Sequence, residues 1–398
     1  RKILYAALKR NLTSEIRVAQ FAGYVSEHTG YHHGEASLNE AIIGMAQDFM
    51  GANNIPWLVP QGQFGTRLQG GSDSASPRYI HTYLQPNVKK LVPSADFPVL
   101  TYRDDDGTPV EPEWYAPVLP MLLVNGARGI GTGYSTYVPP CDPKKLKDML
   151  VKWLNGNDDA LNEQIPIYFE GFKGLITGGD SASGVYKKIK EDEFLVTELP
   201  PGTWTQDYRE WLEKELAEGR IKDFVDTSTD KDVHILIKGI HVNDLQKSLY
   251  TQFRKSNMHA FNSKGVITKY EKVNDILKEF ADVRLALYEK RRLHTIQTLE
   301  NELPYHANVV RFIQDQIADQ PKIVLKKKSR PECDAMFHKD GYAKIDGEYD
   351  YLMKLPVSSF TAEQIAKHEN HLAELKAEIM RLQSLEAADM WLMELSVV

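Results

Sequence analysis

The 398-residue sequence predicts an α+β chain, mostly helical, in three parts. Three observations carry that expectation. The first ninety residues alternate helical segments with short glycine-rich loops. From about 141 to 280, strand-like stretches mix with short helices. From 273 to 398, apolar residues recur at helical spacing in two long segments, the second with a heptad pattern. At about 150 residues per domain, the length also suggests two or three domains.

Each element follows from local chemistry. In "SLNEAIIGMAQDFM", Ser37 stands three residues before Glu40, the spacing of a reciprocal capping box. Ile42, Ile43, Met45, Ala46 and Phe49 then make an apolar face, so a helix opened by Ser37 is expected. The polar loop "GYHHGE" leads into it. "PQGQFGTRLQGGSDSASP" holds too much Gly, Ser and Pro for a helix and predicts a long exposed loop delivering Arg78 and Tyr79. Helix, tight loop, helix and glycine-rich loop is the order of a winged-helix module. Asp106-Gly107 is a hairpin signal, and the acids at 104–106 read as a solvated turn rather than a metal site. "GARGIGTG" lacks the dinucleotide-binding spacing and predicts a tight turn.

Farther on, "FLVTELP" and "VHILIKG" predict strands, and "TWTQDYREWLEKELAEG" predicts a helix stopping at Gly219. A long helical pattern runs from Val273 to Ile317, where Pro304 is expected to kink or break it. The stretch around 318–360 is polar and turn-rich. A second helix opens at Thr361, with Gln364 as its capping partner. Ile365, Leu372 and Ile379 interleave with His368, Leu375 and Leu382 in two seven-residue series, the a/d pattern. Two long helices joined by a compact linker predict a long antiparallel arm. No internal repeat is present.

Composition excludes several classes. Hydrophobic residues make up 42% and charged residues 26%, as in soluble globular chains. No apolar run is long enough to span a bilayer, and Arg1 opens the chain without a signal-peptide pattern, so secretion is not expected. Cys141 and Cys333 have no metal-ligand spacing and fit a reducing compartment. The net charge of −7 hides an asymmetry: residues 1–90 carry +3 and the remainder −10. Phosphate binding follows local basic clusters rather than the total. Arg10, Arg67, Arg78 and Lys89 in the basic part are therefore candidate nucleic-acid contacts.

Tyr79 is the candidate nucleophile. An ordinary tyrosine hydroxyl titrates at about pH 10, so it needs a cation, a base or a metal beside it. Arg78 is suited to stabilise charge on a phosphate under attack. His32 and His33, adjacent in "YHHGE", are poorly placed to chelate one ion but can contact phosphate or act as a base.

"YHHGE", "QFGTR", "SPRY", "VEPEWY" and "LVNGARGIGTGYST" occur here in order, followed by "VTELPPGTWT" and "VNDILKEFADVRLALYEKRR". The ordered set resembles the breakage–reunion region of the eukaryotic-type DNA topoisomerase II family, from Arg1 to the final helix. The resemblance implies a winged-helix DNA-cleavage domain (1–116), a mixed α/β tower domain with a DNA-bending loop (117–272) and a coiled-coil arm (273–398). A homodimer contact is implied at about 318–360, with Met336, Phe337, Tyr342 and Tyr349 as its apolar candidates.

It further implies that Tyr79 attacks a DNA phosphodiester and becomes linked to the 5′ phosphate, while Arg78 contacts the scissile phosphate. His33, with His32 beside it, matches the family's catalytic-site histidine, and Ile130 matches an isoleucine that wedges between base pairs. Mg2+ and ATP are implied as cofactors, both expected on segments outside these residues, so the 398 residues alone are expected to be inactive. The source compartment is expected to be the nucleus or a viral replication site in the cytoplasm. The alternatives are a non-catalytic dimeric DNA-bending protein, which gives Tyr79 no task, and a hydrolytic nuclease or a gyrase-like protein.

Overall fold

The structure, a computed structural model, describes residues 1–131 and 133–398. Helix and strand are mixed, with helix predominating. Two compact units make up the chain: Arg1–Leu287 with Trp391–Val398, and Tyr288–Met390. The division expected at 116/117 falls inside the first unit.

That unit opens with α1 (Lys2–Lys9), β1 (Ile16–Arg17), α2 (Val18–Thr29), α3 (Glu35–Ala46), β2 (Leu58–Gln61) and β3 (His81–Leu84). The three strands pair antiparallel in the order β1-β3-β2. Ala6, Ala7, Phe21, Val25, Ile42 and Ala46 form the helices' buried faces. The capping-box reading of Ser37 is corrected. α3 begins at Glu35 with Gly34 as its N-cap, three residues before Ser37, and the Ser37 hydroxyl donates to the Gly34 carbonyl at 2.8 Å. The helix also stops before Phe49. Asn53 explains the stop, because its side-chain amide donates to the carbonyls of Gly44 and Gln47 at 2.7 and 2.8 Å, capping that end.

Next come α4 (Val88–Leu91) and the hairpin β4 (Tyr102–Asp105)/β5 (Thr108–Pro112). Asp106 and Gly107 take φ values of 51° and 85°, the paired left-handed conformation of a two-residue turn. Then follow α5 (Met121–Asn125), the hairpin β6 (Ala127–Gly131)/β7 (Tyr134–Val138) and α6 (Pro143–Leu154). The middle part holds β8 (Leu175–Thr177), β9 (Ser181–Ser183), β10 (Val185–Lys190), β11 (Glu193–Glu198), α7 (Thr205–Ala217), β12 (Asp223–Asp226), β13 (Ile235–Lys238), α8 (Val242–Ser248) and β14 (Tyr250–Gln252). The expected strands are β11 and β13, and the expected helix is α7. A four-stranded sheet, β10-β11-β13-β12, packs Phe194, Val196, Ile235 and Ile237 against Tyr208, Leu212 and Leu245 of α7 and α8. A smaller sheet has the order β14-β9-β8. β15 (Met258–Phe261) and β16 (Ile267–Tyr270) form another hairpin before α9 (Val273–Ile317).

The first turns of α9 stay with the first unit because Arg284, fully buried, donates to Asp96 at 2.6 Å and to the Ala116 carbonyl at 2.8 Å. After α10 (Arg330–Lys339), α11 (Asp350–Met353) and α12 (Ala362–Ser384), the last helix, α13 (Ala387–Ser396), rejoins that unit. There Trp391 is buried and donates to the Val118 carbonyl at 3.0 Å.

Within the second unit, α9 passes through Pro304 without a break, correcting that part of the expectation. Proline removes the bond to the carbonyl four residues back, that of Glu300. Both residues are exposed, so water can satisfy that carbonyl. Leu375, Ile379 and Leu382 of α12 are buried, and Ile379 and Leu382 pack on Ile296, Leu299 and Leu303 of α9. Thr361 caps α12 by accepting from the Gln364 amide at 3.3 Å. The region read as turns contains α10, opened by a Ser329–Glu332 capping box. Its aromatic residues are corrected as dimer candidates: Phe337, Tyr342 and Tyr349 are buried in the unit's own core around Phe312.

Candidate active site

Tyr79 is 78% exposed, yet the turn that carries it is tightly held. Its amide donates to the Ser76 carbonyl at 2.9 Å. On either side of the Arg78-Tyr79 pair, the carbonyls of Pro77 and Ile80 accept from Ala19 and Val18 at 3.1 and 3.0 Å. Those amides belong to the first turn of α2, where no intrahelical partner exists. Ile80 is buried, and β3 begins at the next residue. A buried residue just after an exposed one fixes the direction in which Arg78 and Tyr79 project.

The loop before them is not the exposed segment its composition predicts. Phe64, Thr66 and Arg67 are buried. Asp73 accepts from the Thr66 amide at 2.8 Å and from its hydroxyl at 2.6 Å, closing the loop on itself. The carbonyls of Arg67 and Leu68 accept from Thr205 and Gln206 at 3.3 and 2.9 Å, capping α7. Glycine is required at Gly65, where a Cβ would come within 2.5 Å of the Gly71 backbone. Arg67 is therefore corrected as a nucleic-acid contact. Its guanidinium is 4% exposed by residue and paired with Glu198, which is fully buried. A buried ion pair fixes the loop and leaves no charge to offer a phosphate.

The remaining candidates separate. His32 and His33 are exposed in the α2–α3 loop, with His33 edge-on to Tyr31 at 5.4 Å. They follow the C-terminus of α2, whereas Tyr79 is tied to its N-terminus. Twelve residues of helix put those ends about 17 Å apart. Among the described residues, no hydrogen bond joins either histidine to Tyr79 or Arg78. Arg10 is exposed at the end of α1, its guanidinium over the Tyr24 ring at 5.0 Å. Lys89 is exposed on α4.

Two basic residues that the sequence reading missed, Arg17 and His81, line one cleft with Arg10. They are register partners across β1 and β3. The signal available was position: Arg17 precedes a helix start, and His81 lies two residues after Tyr79.

Ile130 is 95% exposed on β6, opposite Ser135 on β7. Thr132 of this motif lies outside the described residues. The hairpin is anchored at its base and side. A Cβ at Gly126, φ 68°, would fall 2.6 Å from the Val138 carbonyl oxygen. Tyr137 donates to the Asn257 carbonyl at 2.9 Å, and the Thr136 hydroxyl to that of His259 at 2.7 Å. Arg128, also missed, is exposed two residues before Ile130 on the same face of the strand. An isoleucine with nearly all its surface in water, on a strand held from one side, is placed for contact rather than for packing.

Comparison with known proteins gives the family. The family model for the A-type polypeptide of DNA gyrase/topoisomerase IV matches residues 1–396. The chain belongs to this family of type IIA DNA topoisomerases. It is 38% identical to the mitochondrial DNA topoisomerase 2 of Dictyostelium discoideum, over 99% of this chain and 32% of that one. With DNA topoisomerase 2 of Saccharomyces cerevisiae the identity is 35%, over 98% and 32%. The chain thus spans about a third of the length of the curated relatives it matches. A crystal structure of the Plasmodium falciparum topoisomerase II DNA-binding, cleavage and re-ligation domain superposes with a TM-score of 0.85 and 34% identity, covering 99% of this chain and 59% of that one.

Among the described residues, the one close set of three or more potential metal ligands lies in the second unit. No described helix is long and apolar enough to cross a membrane.

Proposed function

We propose that this chain is the DNA breakage–reunion portion of an ATP-dependent type II topoisomerase. The carrying observation is an exposed Arg-Tyr pair on a turn fixed by α2 and a buried loop. In this reading the Tyr79 hydroxyl loses its proton and attacks a phosphodiester. A bond forms between phosphorus and the phenolic oxygen, the bond to the 3′ oxygen breaks, and that oxygen takes up a proton. Arg78 stabilises the phosphate charge. The reverse attack by the 3′ oxygen reseals the strand. His33 and His32 contribute from the far end of α2, through the same duplex rather than through Tyr79. Magnesium and ATP belong to parts of the enzyme outside these residues.

The order α1-β1-α2-α3-β2-β3, with its β1-β3-β2 sheet, supports a winged-helix module in residues 1–116. The middle sheets support a tower domain, and the α9–α12 packing supports a coiled-coil arm. Arg10, Arg17, His81 and Lys89 are proposed backbone contacts, and Ile130 the bending wedge. The relatives are eukaryotic, one of them mitochondrial by name, and a nuclear enzyme is the location this reading favours.

The test is Tyr79→Phe in the complete enzyme. Denaturant trapping should recover a covalent protein–DNA adduct from the parent and none from the variant. DNA affinity should change less than about tenfold, since one hydroxyl contributes roughly 0.5–1.5 kcal/mol. An adduct surviving in the variant would refute the assignment. A parent that bends DNA without forming an adduct would favour a non-catalytic bending protein.

A further inference from the structure

α9 and α12 bring Glu302, His306, His368 and His371 to one place within the second unit. Glu302 and His306 are four residues apart on α9, and His368 and His371 three apart on α12, so each pair shares a helix face. One ligand atom from each of Glu302, His306 and His371 lies within 4.8 Å of the others. Glu302 Oε1 is 3.4 Å from His306 Nε2 and 3.2 Å from His371 Nε2. Ligands about 2.0–2.1 Å from a tetrahedral ion stand about 3.4 Å from one another. Glu302 already stands at that spacing from both histidines, and all three ligand atoms lie within 4.8 Å of one another.

One outer nitrogen is also provided for. A metal on His306 Nε2 requires the proton on Nδ1, and His368 Nδ1 lies 2.8 Å from it as the acceptor. The outer Nδ1 of His371 stands 3.6 Å from Glu374 Oε2, beyond hydrogen-bond distance. Metal-bound imidazoles characteristically have such partners, which fix the tautomer and ring orientation. His368 occupies a position of the heptad series that is otherwise apolar, so the seam carries a polar residue where packing alone would favour leucine. The side chain of His306 is only 14% exposed, whereas Glu302 and His371 are 44% and 40% exposed, leaving an entry path on one side.

We propose that Glu302, His306 and His371 form a site for a borderline transition-metal dication, zinc foremost, that clips α9 to α12, with water as a fourth ligand. Two imidazoles and one carboxylate suit zinc, cobalt, nickel or copper, whereas magnesium and calcium prefer all-oxygen sets. The site is structural: it ties helices distant in sequence across the seam and stiffens the arm. An i,i+4 Glu–His pair with a neighbouring histidine network is the plain alternative. That network would be indifferent to metal.

The experiment uses the untagged 398-residue chain, stripped with chelator and titrated with Co2+. Saturation at one equivalent is expected, with the visible bands of four-coordinate cobalt, bleached by Zn2+. Zn2+ should raise the Tm of the chain, and chelator should reverse the rise. Glu302→Gln, at an exposed position, and His371→Ala, at a half-buried one, should each lower affinity at least about tenfold while leaving the metal-free Tm unchanged. His241→Ala, at the N-cap of α8 in the first unit, should bind as the parent does. Absence of a one-equivalent cobalt signal overturns the site. So does equal binding by His371→Ala, which would place adventitious metal on other histidines. If His371→Ala alters the metal-free fold, the isosteric Glu302→Gln decides: parental affinity in that variant rejects the proposal.

Discussion

Arg67 and Tyr79 belong to one loop, and their side chains end in opposite environments. Arg67 turns inward to Glu198, which also accepts from the Lys173 and Leu199 amides at 3.2 and 3.0 Å. Removing the arginine leaves a buried carboxylate without its counter-charge. Arg67→Ala should therefore cost about 3–5 kcal/mol in urea unfolding. The salt dependence of DNA binding should stay unchanged, whereas loss of a phosphate contact would lower its slope by about one. The loop's glycine content signalled irregular backbone correctly, but burial of a charge inside it depended on a partner 131 positions later. Ile130 presents the converse case. Its side chain meets water, so Ile130→Ala should leave stability within about 0.5 kcal/mol of the parent. If the side chain wedges into a base step, the same change should reduce the DNA bend measured by energy transfer across a short duplex. An unchanged bend would remove Ile130 from the DNA contact.

Among the elements, those set by neighbouring residues were legible. The 104–107 hairpin follows from Asp-Gly turn chemistry, and the Thr361 cap from a side chain that reaches its own helix. The start of α3 was not legible, because Ser37 could bond either an amide or a carbonyl, and the backbone path of Gly34 decides which. Pro304 does not break α9 for a related reason: the carbonyl it leaves unbonded is exposed to water. The β15–β16 hairpin offers a pH test. Glu279 accepts from the Tyr270 hydroxyl at 2.6 Å and from the Ser263 amide at 2.9 Å, tying the hairpin to the start of α9. Burial pushes its carboxyl up, and the bonds from Tyr270 and Ser263 outweigh this and hold it below the ordinary value of 4.5. A depressed carboxyl contributes stability above that value and loses it as pH falls through the folded pKa. Hydrogen-exchange protection of residues 258–270 should thus fall as pH is lowered from about 5 to 3. Glu279→Gln should flatten that dependence. Equal loss in parent and variant would assign the tether elsewhere.

For the molecule as a whole, the proposed homodimer needs a surface that the buried aromatic cluster cannot supply. Between 318 and 360, Val324 and Val357 are exposed, Val357 by 85%. Deleting this region would uncover the core around Phe337, so a point change is the sharper test. Val357→Asp should weaken self-association about tenfold in sedimentation while leaving Tm unchanged, since one apolar side chain in an interface is worth roughly 1–3 kcal/mol. An unaltered dimer would move the contact away from this segment.

The sequence by itself determined the 104–107 hairpin, the Thr361 cap, the heptad seam and the Arg78-Tyr79 pair. Each is written in local spacing, in turn chemistry or in a family's ordered motifs. The tertiary structure alone decided which charges face water. It buried Arg67, gathered Arg10, Arg17 and His81 in one cleft, and put His33 at the other end of α2 from Tyr79. It also brought Glu302 and His306 against His368 and His371. Charge and residue type are properties of a position, but burial and partnership arise only when distant segments meet, and those meetings set what each side chain can do.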